Sequence, residues 1–293
     1  MKLSKVSRNL HTLELGKEES KLAIISDLHW DNPKCDRVML KRHLDHCLEN
    51  QIPVMIVGDT FCLMQGRGDR RGNKSDILPE HNNAKYLDSV VDTAVEWFSP
   101  YAHILTVIGY GNHETGIIKY QETDLLQRFV DLMNYKNKSN IYTGGYGGWI
   151  IIKKQLKGNT TMSKLLKYFH GSSGGGIVTR GAINLTRALE IYENMDIFVM
   201  GHIHENSSRN DVRDSLTYNQ GKRVYELEQK QIHLAITGTY KEEYVDGFGG
   251  WHVERGAPVK PLGGRILTLT GRRYRKEDTD HYEVLIDSHK FPL

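Results

Sequence analysis

The sequence predicts an α/β fold in four layers, αββα: two mixed β-sheets packed together and flanked by helices, with a ligand site at the strand C-terminal ends. Three observations predict it. Short apolar runs bounded by glycine, aspartate or asparagine recur along the 293 residues, as buried strands do. Stretches with a 3.6-residue apolar period separate these runs in the first half, whereas the second half is rich in strands. Charged residues at 26% and hydrophobic ones at 39% describe a chain that folds around a core rather than a disordered one.

Strands are expected at 22–26, 54–57, 104–108, 149–152, 165–169, 197–200, 234–237, 266–270 and 282–286. Between the first two, Val38, Leu40, Leu44 and Leu48 mark a helix over Arg37–Glu49. Leu87, Val90, Val91, Val95 and Phe98 mark another over 83–98, and similar periods run over 122–133 and 180–193. The 28 glycines cluster at 144–148, 171–176 and 247–250, which read as loops rather than tethers. One domain over 1–293 is therefore expected, with the core at 22–240 and the stretch 241–293 packed on it.

The formal charge of +3 neither demands nor excludes a nucleic-acid partner, so any basic surface must be local. Three cysteines without CxxC spacing fit neither a disulfide scaffold nor a cysteine zinc site, and point to a reducing, cytoplasmic setting. The start lacks the pattern of a secretory signal. No apolar stretch approaches the roughly 20 residues that span a bilayer, so no membrane partner is expected.

Successive strands end in chemistry. Ser26-Asp27-Leu28-His29 follows the first, Gly58-Asp59 the second, Gly109-Tyr110-Gly111-Asn112-His113-Glu114 the third, His170-Gly171 the fifth, and Gly201-His202-Ile203-His204 the sixth. In an open α/β sheet the strand C-terminal ends converge on one crevice. Carboxylate, imidazole and amide donors together suit manganese first, with iron, zinc or nickel as alternatives, over all-oxygen magnesium or calcium shells.

Asp-x-His, Gly-Asp, Gly-Asn-His-Glu, His and Gly-His-x-His, in this order, resemble the calcineurin-like metallophosphoesterase family. The resemblance implies a β-sandwich flanked by helices with two divalent metal ions. It implies that Asp27, His29 and His204 hold one ion, that Asn112, His170 and His202 hold the other, and that Asp59 bridges them. His113 matches the family histidine that touches the substrate phosphate and protonates the leaving oxygen, while metal-activated hydroxide attacks phosphorus.

The segment Gly58-Asp59-Thr60-Phe61-Cys62-Leu63-Met64 departs from the phosphoprotein-phosphatase pattern Gly-Asp-x-x-Asp-Arg-Gly. Cys62 stands at the second aspartate and Leu63 at the phosphate-gripping arginine, so another group must orient His113, with Glu114 or Asp69 as candidates. Beyond it, Arg67, Arg70 and Arg71 sit in a glycine-rich stretch placed to grip flanking phosphates. Trp30, next to His29, is expected to line the pocket, and the aromatic and glycine tract at 240–256 could stack on bases.

The expected function is thus hydrolysis of a phosphoester, with a nucleic-acid (DNA or RNA) or nucleotide phosphodiester preferred. The alternatives are a phosphomonoesterase or small-nucleotide phosphatase, and a non-catalytic metal-binding module. Protein partners are not legible.

Overall fold

The structure, a computed structural model, describes all residues except 17–19, 64–75, 157–159, 173–175, 222, 245–246, 248–250, 255, 277–278 and 293. In chain order the elements are β1 (Lys2–Ser7), β2 (Leu10–Leu15), β3 (Ser20–Ile25), α1 (Arg37–Glu49), β4 (Val54–Val57), α2 (Tyr86–Phe98), β5 (Leu105–Gly109), α3 (Asn112–Gln121) and α4 (Leu125–Asn137). They continue as β6 (Tyr142–Thr143), β7 (Gly147–Gln155), β8 (Thr161–Phe169), α5 (Ala182–Ile191), β9 (Ile197–Met200), β10 (Ser207–Asn219), β11 (Val224–Ile236), α6 (Trp251–Glu254), β12 (Arg265–Lys276) and β13 (Thr279–Lys290).

The strands form two mixed sheets, a seven-stranded one ordered β1-β2-β7-β8-β9-β11-β10 and a six-stranded one ordered β13-β12-β3-β4-β5-β6. The four layers follow from alternation along strands that are apolar on both faces. On β3, Leu22 and Ile24 face the other sheet, where they join Met55, Val57, Ile150, Ile152, Ile197 and Val199 in the inter-sheet core. Ala23 and Ile25 face outward and are covered by α1, α2 and α4 through Leu40, Leu44, Val91, Phe98, Leu126 and Phe129. The seven-stranded sheet repeats the arrangement: Phe198, Met200, Leu234 and Ile236 turn outward onto Leu185 and Ala188 of α5.

Two helix starts are chemically marked. The Asp36 carboxylate caps α1 by accepting the Met39 N–H at 2.8 Å, and Asp124 caps α4 by accepting the Gln127 N–H at 3.0 Å. The stretch from 241 onward contributes β12, which pairs directly with β3 through Arg265↔Ile24 to Leu269↔Ser20. The buried Arg265 side chain then ties the two sheets by donating to Asn206 Oδ1 (2.8 Å), Ser208 Oγ (2.7 Å) and the Ser288 carbonyl (2.8 Å).

Two long hairpins, β10–β11 and β12–β13, outgrow their sheets. The start of β12 pairs with the end of β3, and the end of β11 runs parallel to β9, so the end of β12 and the start of β11 lie at the pole opposite the C-terminal ends of β3 and β9. The basic run Arg272–Lys276 belongs to that far pole. On the β10–β11 hairpin the paired Leu216/Leu227 and Tyr218/Tyr225 share one solvent-facing side. Among the described residues, no helix is long and apolar enough to cross a membrane.

Truncating the inter-sheet core should be costly and truncating the hairpin should not. Leu22→Ala, at a fully buried site, is expected to lower unfolding free energy by about 2–5 kcal/mol. Leu227→Ala, at a 79% exposed site, should stay within about 0.5 kcal/mol, both measured by urea unfolding.

Candidate metal centre

The loops after β3 and β4 run side by side past the sheet edge. Asp27 N–H donates to the Gly58 carbonyl (3.1 Å), His29 N–H to that of Asp59 (3.1 Å) and Trp30 N–H to that of Thr60 (2.9 Å). From the other sheet, Gly201 N–H donates to the His170 carbonyl at 3.0 Å, and Tyr240 N–H reaches the Asp27 carbonyl at 3.0 Å. Five strand ends are thereby laced together around one spot.

The candidate ligand residues take unusual backbone angles. Asp27 (φ 52°), His29 (46°), Asp59 (49°), His202 (69°) and His204 (54°) all lie in the left-handed region, which costs a non-glycine residue roughly 1–2 kcal/mol. Tight neighbours enforce these turns. A Cβ added at Gly111 would sit on the Asp59 carboxylate, and one at Gly58, whose φ is +85°, would meet the His170 ring.

Two donor sets result. Asp27, His29 and His204 bring their ligating atoms within 4.8 Å of one another, and so do Asp59, His170 and His202. Asn112 joins the second set, its Oδ1 lying 3.2 Å from His170 Nε2. Asp59 Oδ2 is 3.2 Å from His170 Nε2 and Asp27 Oδ1 is 3.3 Å from His204 Nε2. The residues behind the donors fix their roles. His170 Nδ1 donates to the Val57 carbonyl (2.8 Å), which leaves Nε2 as the ligating atom. Ser26 Oγ (2.5 Å) and the His202 N–H (2.9 Å) both donate to Asp27 Oδ2, and the His113 N–H donates to Asp59 Oδ1 at 3.0 Å.

Burial disfavours both carboxylates, yet His204 beside Asp27 and His170 beside Asp59 hold them below the ordinary range, Asp59 well below. Burial, reinforced by His113, takes the His29 imidazole well below its usual value, so that it is neutral and able to ligate. For His170 burial pulls down, but Asp59 outweighs it and pushes the imidazole up to about 10. The residues fit a pair of divalent cations: the buried His29 Nδ1 has no hydrogen-bond partner, Asp27 Oδ1 faces the His204 imidazole, and the two buried carboxylates face mainly imidazoles.

His113 stands beside both sets at the start of α3. Its Nδ1 donates to the main-chain carbonyl of Cys62, and its Nε2 lies 3.9 Å from Asp59 Oδ2. Of the two candidates for orienting it, Glu114 does not do so through its side chain. Asp69 lies outside the described residues. The Glu114 carboxylate accepts the N–H groups of Asp59 (3.2 Å), Phe61 (3.0 Å) and Gly111 (2.8 Å), organising the loop instead. Burial, and then the Asp59 charge, push the Glu114 carboxyl up to about 8. Asp31, unmarked in the sequence reading, anchors the same loop: its carboxylate accepts the N–H of Cys62 at 2.5 Å and of Leu63 at 2.9 Å.

Trp30 does not line the site. It is 1% exposed, turned into the helical layer beside His81 and Phe98, and covered by the Arg37 guanidinium 4.1 Å from its ring centroid. Adjacent residues beyond a strand point apart, so His29 in the centre places Trp30 in the core. Tyr240 is likewise core, its hydroxyl 2.9 Å from His43 Nδ1. Arg67, Arg70 and Arg71 lie outside the described residues. Lys241, absent from the sequence reading, is largely buried and lines a small pocket with His204, Tyr244 and Lys260.

The calcineurin-like phosphoesterase family model matches residues 20–206. No curated protein matches the chain. Similar solved structures include vacuolar protein sorting 29 from Cryptosporidium parvum, at 11% identity over 93% of this chain and 98% of that one, with a TM-score of 0.37. YfkN from Bacillus subtilis, described as a calcineurin-like phosphoesterase, is 10% identical over 92% and 91% of the two chains, with a TM-score of 0.38. GAP50, described as the anchor in the inner membrane complex of Plasmodium, is 10% identical over 93% and 88%, with a TM-score of 0.41.

Gly111→Ala should force the Asp59 carboxylate aside, so the purified variant is expected to bind fewer divalent cations while keeping its far-ultraviolet circular dichroism. Cation uptake should also release protons at pH 7, because His170 is protonated there when facing Asp59 alone and must be neutral to ligate. Affinity should therefore weaken as pH falls. Calorimetric titration with Mn²⁺ in two buffers of different ionisation enthalpy checks this, and heats independent of buffer would contradict it.

Proposed function

The chain belongs to the calcineurin-like phosphoesterase family, and on that premise we propose that it hydrolyses phosphodiester bonds in nucleic acid or nucleotides, with His113 donating the proton to the leaving oxygen. The observation that carries this reading is the meeting of two donor sets beside one imidazole whose Nδ1 is already engaged. Asp27, His29 and His204 would hold one cation, Asn112, His170 and His202 the other, with Asp59 shared. Two divalent cations so bound supply charge stabilisation to the phosphoryl oxygens and lower the pKa of water.

The chain's own groups do the rest. With Nδ1 donating to the Cys62 carbonyl, the His113 ring is fixed in rotation and Nε2 is the atom that carries the proton. Asp59 positions that residue twice, accepting its backbone N–H at 3.0 Å and facing its Nε2. The preference for a diester rests on residue 63. A dianionic terminal phosphate gains from a cation at this point, but Leu63 is 1% exposed and its backbone N–H is held by Asp31. Arg67, Arg70 and Arg71, assigned from the sequence alone, would hold phosphates flanking the scissile one.

With Mn²⁺, the protein is expected to turn over bis(p-nitrophenyl) phosphate faster than p-nitrophenyl phosphate. A strong monoester preference would move the reading to a phosphomonoesterase. His113→Ala should retain cations but lose about 10²–10⁴-fold in turnover, most for poor leaving groups. Asp59→Asn should lose cations and activity together, as metal analysis alongside kinetics would show.

A further inference from the structure

We propose that His29, Cys62 and His113 form a third donor set, for a thiophilic divalent cation of the zinc type, whose occupation inhibits the dinuclear centre. The three side chains bring ligating atoms within 4.8 Å of one another. Cys62 is 1% and His29 2% exposed, and His29 Nδ1 is buried without a hydrogen-bond partner. Their frame is held from several sides. Asp31 accepts the Cys62 N–H, Asn32 Nδ2 donates to Cys62 Sγ at 3.2 Å, and the Cys62 carbonyl binds His113 Nδ1.

The donor chemistry separates this set from the other two. One thiolate and two imidazoles suit zinc or cadmium, whereas the two oxygen-bearing sets suit manganese or iron equally well. Zinc bonds of about 2.0–2.3 Å to nitrogen and sulfur put tetrahedral donors about 3.5 Å apart. Side-chain rotation closing the set by about 1 Å therefore completes three ligands, with the fourth position left to water. On binding, the S–H bond of Cys62 breaks, its proton passes to solvent and a sulfur–metal bond forms.

Two consequences follow for the centre. His29 is shared with the set containing Asp27 and His204, so a cation held by Cys62 competes for it. His113 is withdrawn from proton donation. The inhibition rests on the phosphodiesterase reading, whereas the binding does not.

The test titrates the full, reduced chain, loaded with Mn²⁺, with Cd²⁺ and separately with Zn²⁺. A thiolate-to-cadmium charge-transfer absorption saturating at one equivalent is expected, together with loss of diester turnover on adding Zn²⁺. Cys62→Ser should lose the absorption and require at least about tenfold more Zn²⁺ for half-inhibition, while Cys47→Ser, in the helical core, should keep both. Cadmium NMR on the unmodified chain reports sulfur ligation directly, without relying on a variant that folds. No sulfur-ligated cadmium in the unmodified chain, or an undiminished absorption in folded Cys62→Ser, would overturn the site. Absorption in a chain with no diester turnover supports the site and overturns only the phosphodiesterase reading.

Discussion

Two carboxylates, those of Asp27 and Asp59, are buried at one pole of the sandwich, 0% and 2% exposed. A charge removed from water must be answered by charges and hydrogen bonds close at hand. The surroundings of this pole can be read as that answer. Ser26, backed by Thr237 at 2.5 Å, and the backbone of His202 serve Asp27. The backbone of His113 and the imidazole of His170 serve Asp59. The remaining deficit is positive charge, which is what divalent cations supply. The short, doubly buried strands β3, β4, β5 and β9 give this arrangement its rigidity, because none of their ends can shift without disturbing a core layer.

The replacement of an acidic residue by Cys62 does not leave His113 unsupported. The polarising group is a peptide carbonyl, a weaker acceptor than a carboxylate but one fixed by the loop itself. That loop is held by buried acids with no apparent chemical role: Asp31 grips two successive N–H groups and Glu114 grips three. The His113 ring is thus oriented by the main chain rather than by a carboxylate, and the loop that carries this carbonyl is fixed in turn by Asp31 and Glu114.

Much of this was legible in the sequence because the physics was local. Strands buried on both faces announce themselves as apolar runs, and donors clustered at their ends stand out against them. The hairpin strands β1 and β2 were not expected, since only Leu3, Leu13 and Leu15 of their apolar residues are buried and the rest reads as a charged start. Strand β10 was missed for the same reason: its long exposed stretch, Ser207–Asn219, has no core face to betray it. Helix α3 was hidden inside the motif that supplies Asn112 and His113. Proximity in sequence misled at Trp30, where one residue's step changes the layer. The Cys62 carbonyl was invisible in principle, because every residue has one and only the folded loop says where it points. Four histidines outside the centre, His11, His43, His81 and His233, are buried and serve packing.

The left-handed turns at five candidate ligand positions restrict how this centre can change over generations. At such angles a β-branched replacement is strained whatever its chemistry, whereas asparagine, aspartate and glycine are accommodated most easily. Single-step variation at Asp27 and Asp59 is thus channelled toward asparagine or glycine, which keep the fold while removing charge. A lineage that abandoned hydrolysis could retain an intact sandwich with an altered pole, and the backbone rather than the chemistry would decide which residues it could sample there.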